Sequence, residues 1–233
     1  MAAWTDRAAV RIAALFPKEA REGAQLADGP ALKTDYLPAD PAITELVVEN
    51  GREYLLGGNL KLVYFNQKDA EWAEQPFGVD PIGPYGCGPT ALAMLVSSMT
   101  EEPADPAEMA AWAAGHGYAA PHSGSYLSIV EGTAAAWGLD CVSAADLDAE
   151  ALRRELSGGG AFVALMGPGH FTKGGHFLLL HGVTLTGEIL VADPNSRENS
   201  LMTWDAELLL GELSPSRWNG APHGRVTERG GLS

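Results

Sequence analysis

Three apolar runs close the chain's ordered pattern: AFVALM at 161–166, FLLLHGVTL at 177–185 and EILVAD at 188–193. They follow four segments with helical spacing. Helices first and strands after argue for an α+β fold, a helical half packed on an antiparallel β-sheet, and against βαβ alternation. In TALAMLVSSM, residues Leu92, Leu95, Val96 and Met99 fall at i, i+3, i+4 and i+7, one face of a largely buried helix. Asp105, Pro106 and Glu108 supply an N-cap acceptor, a first-turn proline and an acid three after the cap, so a second helix starts there and ends near Gly115. SYLSIVEGTAAAWG reads as a third helix, and DAEALRREL as a fourth, ended by Gly158 to Gly160.

The first 59 residues read as an N-terminal extension docked on the main domain. Trp4, Ala8, Ile12, Leu15 and Phe16 recur at helical spacing, which predicts a short helix stopped by Pro17. Glu22 to Pro41 reads as a connector. ITELVVENGREYLL then sets Asn50 and Gly51 between two strand-like runs, the strongest short hairpin signal, because both central residues of that turn need positive φ. The main domain spans residues 60–219, and the tail from 220 to 233 reads as frayed.

Charge and cysteine content remove several function classes. Fifteen Lys and Arg against thirty Asp and Glu leave a net charge of −15, which repels phosphate backbones, so nucleic acid is not an expected partner. No run of about 20 apolar residues is present, and Asp6, Arg7 and Arg11 interrupt the N-terminal stretch where an export signal needs an apolar core. The expectation is a cytoplasmic protein without membrane insertion, a reading that a phage-borne or lysis-released protein shares. Two cysteines, Cys87 and Cys141, make neither a disulfide framework nor a zinc ribbon.

Cys87 stands in YGCGPTALAML, where the flanking glycines allow close backbone approach and Pro89 presets helical φ. A sulfur at a helix N-terminus meets unpaired N–H groups and the positive end of the helix dipole. Such sites lower a thiol pKa from about 8.5 to roughly 3.5–7.5. A free cysteine is also commonly a small buried apolar residue, and position alone leaves both readings standing. Cys141, within the apolar LDCVS, fits the buried role.

A thiol nucleophile needs a base, a group that orients the base, and donors for an oxyanion. His176 follows Gly174 and Gly175 at the head of an apolar strand, and Asp193 ends the next strand just before Pro194. If Thr186 and Gly187 form a two-residue turn, Asp193 lies opposite Leu180, on the face of His176 but four residues along, about 13 Å at 3.3 Å each. Strand coiling or an irregular turn must close that gap. His181 points to the opposite face, His170 sits in the loop GPGHFTKGG, His116 lies by a helix end where it can meet the last carbonyls, and His223 is in the tail. Gln67 ends the run LVYFNQ, where a primary amide can donate to an oxyanion near Cys87.

The ordered set YFNQ, YGCGPTALAM, GGHFLLLHG and VADPNS, spanning about residues 60–205, resembles the bacteriocin-processing-peptidase-like, or double-glycine-peptidase-like, cysteine peptidases. The resemblance implies a papain-like fold, with Cys87 as nucleophile, His176 as base, Asp193 orienting His176, and Gln67 lining the oxyanion hole. It implies hydrolysis of peptide or amide bonds in a peptide or protein substrate, with no metal and no organic cofactor. A peptide-binding module of the same fold without activity, and a cysteine-dependent acyltransferase, are the alternative functions. Cys, His and Asp without a recognisable motif make a poor zinc site.

Overall fold

Strand pairing rather than local helical periodicity decides the conformation of residues 12–17. The computed structural model describes residues 12–17, 44–58, 60–144 and 147–214. Strand β1 (Ile12–Pro17) is the first element among the described residues. A hairpin of β2 (Glu45–Glu49) and β3 (Arg52–Leu56) follows, and β4 (Leu62–Tyr64) pairs with β3. A two-residue hairpin, β5 (Pro76–Phe77) and β6 (Asp80–Pro81), leads into α1 (Ile82–Tyr85), α2 (Cys87–Met99) and α3 (Pro106–Gly115). Another small hairpin, β7 (Ala119–Ala120) and β8 (Gly124–Ser125), precedes α4 (Ser128–Ala136). Then come β9 (Leu139–Ser143), α5 (Ala149–Ser157), β10 (Ala161–Met166), β11 (His176–Val183) and β12 (Ile189–Ala192). The described part ends with α6 (Arg197–Leu201), β13 (Thr203–Trp204) and α7 (Ala206–Gly211).

The main sheet is six-stranded and antiparallel, in the order β13-β12-β11-β10-β1-β9. Its two faces explain why the last strands read as unbroken apolar runs. Val163, Leu165, Phe177 and Leu179 face the cluster of α2, α3 and α4, whereas Phe162, Ala164, Leu178 and Leu180 face Leu152 and Leu156 of α5 and Leu209 of α7. A strand covered on both sides has no polar face to alternate with. The α+β class and the antiparallel sheet expected from the element order are both observed. The first ten residues of α2, Cys87 to Val96, are buried, as befits a helix apolar all round.

Local signals decided several elements. Asn50 and Gly51 have φ of 51° and 79°, the turn that the NG pair requires. Asp105 accepts from the Glu108 N–H while Glu108 accepts from the Asp105 N–H, a complete capping box on α3. The expected helix over Trp4 to Phe16 is not found where the chain is described. Residues 12–17 form β1, paired with β10 on one side (Ile12 opposite Ala164) and β9 on the other (Pro17 opposite Leu139). Two ladders satisfy the backbone better than an isolated helix of that length, which is marginal in water. Residues 1–11, the connector at 22–41 and the tail at 220–233 lie outside the described residues. Because β1 pairs with β9 and β10, and β3 with β4, two sheets cross the division between the extension and the main domain. Among the described residues, no helix is long and apolar enough to cross a membrane.

Candidate active site

Cys87 is the first residue of α2, behind Gly86 as N-cap. Both flanking glycines are required by contact. A Cβ on Gly86 would stand 2.6 Å from Ile82 Cγ2 and 2.7 Å from the Ile82 carbonyl oxygen. A Cβ on Gly88 would stand 2.3 Å from Ser125 Oγ. The turn from α1 into α2 and the strand β8 therefore grip the sulfur's backbone from two sides. Cys87 is 9% exposed. Burial raises its thiol pKa, but the hydrogen bond and charge of His176, with the backbone N–H groups of Phe177 and Gly88, outweigh burial and leave it below the usual thiol range.

His176 opens β11 and is 6% exposed. Burial pulls its pKa down; hydrogen bonds to Asp193 and Cys87, and the charges of both, carry it well above the usual imidazole range. Nε2 donates to Asp193 Oδ1 at 2.7 Å, which leaves Nδ1 for the thiol. The two shifts are opposed because each group favours the charged form of the other. Cys141 behaves otherwise: burial and then the charge of Glu131 raise its pKa, so it stays a thiol.

Asp193 is 1% exposed, and every approach to it is filled. Oδ1 also accepts from the Asn195 N–H at 2.8 Å, the turn expected of an Asp two residues ahead of that donor. Oδ2 accepts from Asn199 Nδ2 at 2.8 Å. The Asp193 N–H donates to Ser200 Oγ at 2.9 Å, and Tyr64 donates its hydroxyl to the Asp193 carbonyl at 2.8 Å.

The expected register needs correction. The turn between β11 and β12 is a loop from Thr184 to Glu188, with the Thr184 N–H on the Glu188 carbonyl, and Val183 lies opposite Ile189. A bulge at His181 then sets Leu180 opposite Val191 and Leu179 opposite Ala192. Continued one step, that register brings Asp193 level with Leu178 rather than Leu180. The separation along the strand from His176 is halved to about 7 Å, within reach of two side chains.

Gln67 is tied to both flanks of this trio. Its backbone N–H donates to the Pro194 carbonyl at 2.7 Å, and its Nε2 donates to the Gly83 carbonyl at 2.6 Å, four residues before Cys87. Gly83 occupies one of the two amide hydrogens.

The other histidines sit elsewhere. His181 is 1% exposed, and burial pushes its pKa down to about 4 against a weaker pull from the Val191 backbone. His170 holds Glu212 through both its backbone N–H and Nδ1. His116 Nδ1 donates to the Trp112 carbonyl at 2.7 Å, as its place at a helix end implied. His223 lies outside the described residues.

Sequence reading passed over Tyr64, Asn199 and Ser200 as supports of Asp193. It also passed over His122, which binds Asp80 through its backbone N–H at 2.6 Å and Nδ1 at 2.8 Å. Tyr64 had a signal, since a buried tyrosine hydroxyl needs a partner. Among the described residues no cluster of three His, Cys, Asp or Glu side chains is arranged to hold a metal ion. A cavity of about 710 Å³ opens beside Tyr64, Asp69, Trp72 and Arg197, with neither Cys87 nor His176 in its wall.

A family model described as the Peptidase_C39 like family matches residues 59–221 of the 233. No curated protein and no solved structure matches the chain.

Proposed function

The chain belongs to the Peptidase_C39-like family, a cysteine peptidase family, and from that premise we propose that it hydrolyses peptide or amide bonds in a peptide or protein substrate through Cys87, His176, Asp193 and Gln67. The Cys87 thiolate attacks the carbonyl carbon, and the oxyanion that forms takes hydrogen bonds from the Cys87 backbone N–H and from the second amide hydrogen of Gln67. His176 passes its Nδ1 proton to the leaving amine. It then takes a proton from the water that cleaves the thioester, restoring the thiolate–imidazolium pair. Asp193 holds Nε2–H and keeps the ring's Nδ1 toward sulfur throughout.

The observation that carries this reading is the pair of opposed shifts: a thiol below its usual range touching an imidazole above its own, with the imidazole's far nitrogen on a buried carboxylate. The test compares Cys87→Ala with Cys141→Ala on a fluorogenic peptide library, beside iodoacetamide labelling at pH 6 with mapping of the labelled residue. Cys87→Ala is expected to abolish turnover with an unchanged melting temperature, and Cys141→Ala to leave turnover intact. In the wild type Cys87 labels well ahead of Cys141. Equal labelling of the two thiols, or peptide turnover that survives Cys87→Ala, would overturn the reading.

A further inference from the structure

The hairpin of β2 and β3 lies ahead of the family-matched segment, yet it reaches the acid of the proposed relay. The link is Arg197, the first residue of α6. Its Nε donates to Glu53 Oε2 on β3 at 3.1 Å, and its Nη2 donates to Asp69 Oδ1 and Oδ2 at 3.0 and 2.9 Å. The guanidinium also lies over the Tyr64 ring, 5.6 Å from its centroid. One planar cation thus joins a hairpin, a loop and a short helix in a fork geometry that lysine does not reproduce.

What α6 carries makes that link matter. Asn199 and Ser200, on the same turn and a half of helix, hold the Oδ2 and the N–H of Asp193. Five residues cannot hold a helix in place by their own hydrogen bonds, so the position of Asn199 is set by what α6 leans on. Tyr64, beneath the guanidinium, reaches the Asp193 carbonyl directly. Two routes therefore run from Arg197 to the same residue.

We infer that Glu53 and Asp69, acting through Arg197, are positioning residues for the Asp193 carboxylate, and that the hairpin outside the matched segment is part of the catalytic support. The inference rests on the Cys87–His176–Asp193 reading. Exposed ion pairs add little to folding stability, and the three side chains of this one are 29–36% exposed. Its effect falls instead on orientation, which a relay of short hydrogen bonds reads sensitively.

The experiment measures the rate of Cys87 alkylation by iodoacetamide from pH 5 to 8 in the full chain, with the melting temperature of each variant beside it. Glu53→Gln and Arg197→Met are expected to slow alkylation at pH 6 by about three- to tenfold and to move the acid limb of the profile to higher pH. Asp69→Asn serves as an independent arm should Arg197→Met fail to fold. Profiles that superpose on the wild type in all folded variants would overturn the inference. A wild-type Cys87 no more reactive than Cys141 is a different result: it defeats the underlying triad reading first, and the brace with it.

Discussion

Asp193→Asn tests the relay at its most crowded point. The carboxylate accepts from His176 Nε2 and the Asn195 N–H on one oxygen and from Asn199 Nδ2 on the other. An amide at 193 accepts on one side only. With its oxygen kept on His176, its nitrogen faces the Asn199 nitrogen, donor against donor, at a site 1% exposed. One hydrogen bond to a charged group is lost, worth about 2 kcal/mol. At 2–4 °C per kcal/mol for a chain of this size, melting falls by roughly 4–8 °C. The same change removes the charge and charged hydrogen bond that raise the His176 pKa. About 2 kcal/mol less support for the imidazolium equals about 1.5 pK units, or about thirtyfold in the equilibrium constant between the charged and neutral pairs. Iodoacetamide labelling of Cys87 at pH 6 should slow by up to that factor. Adding Asn199→Asp gives the new amide an acceptor, so melting recovers while labelling stays slow, because the charge no longer touches the imidazole. Wild-type melting and wild-type labelling in Asp193→Asn would refute the reasoning. Recovery of labelling together with melting in the double variant would refute its electrostatic half.

Three further outcomes follow from the same geometry. Gly88→Ala brings a Cβ within 2.3 Å of Ser125 Oγ and 2.8 Å of Ser125 Cβ, so rotating the hydroxyl does not relieve it; overpacking should cost about 1–3 kcal/mol in chemical denaturation, with Ser125→Gly restoring stability, and an unaltered midpoint would contradict the clash. Gln67→Ala should lower kcat by about a hundred- to a thousandfold while Cys87 labels normally; parallel loss of both would mean that the amide supports the thiolate instead. His181 has a folded pKa near 4 against 6.5 for a free imidazole, so its contribution to stability is complete above about pH 6.5 and drains away as pH falls toward 4, by about 3 kcal/mol. His181→Leu should lose that much less stability between pH 7 and pH 4, and parallel pH–stability curves would show that the ring is not neutral and buried.

The parts of this fold that sequence made legible are those set by residues close together in the chain. Asn50–Gly51 demands its turn, Asp105 and Glu108 cap each other three residues apart, and strands such as AFVALM declare burial on both faces because no polar position interrupts them. β1 was misread because its neighbours decide it. Ile12 to Pro17 meets β9 and β10, more than a hundred residues away, and nothing local announces those partners. The hairpins β5–β6 and β7–β8 escaped for another reason. Pro121 and His122 turn the second one, with His122 at φ 56° where glycine is usual, and long-range hydrogen bonds from His122 to the Asp80 carboxylate support it.

The candidate site divides the same way. The sulfur's setting was legible because a helix start, two glycines and a proline are neighbours in sequence. The meeting of His176 and Asp193 was not, because it depends on two irregularities that compensate. The loop from Thr184 to Glu188 pairs Val183 with Ile189. Without a bulge that pairing would continue to put Asp193 opposite Leu179, on the face away from His176, since a slip of one residue inverts a strand. The extra residue at 181 restores the face, and loop and bulge together draw Asp193 two residues nearer than a tight two-residue turn would place it. His181, set aside as a competing base, is thus the bulged residue that lets His176 meet Asp193.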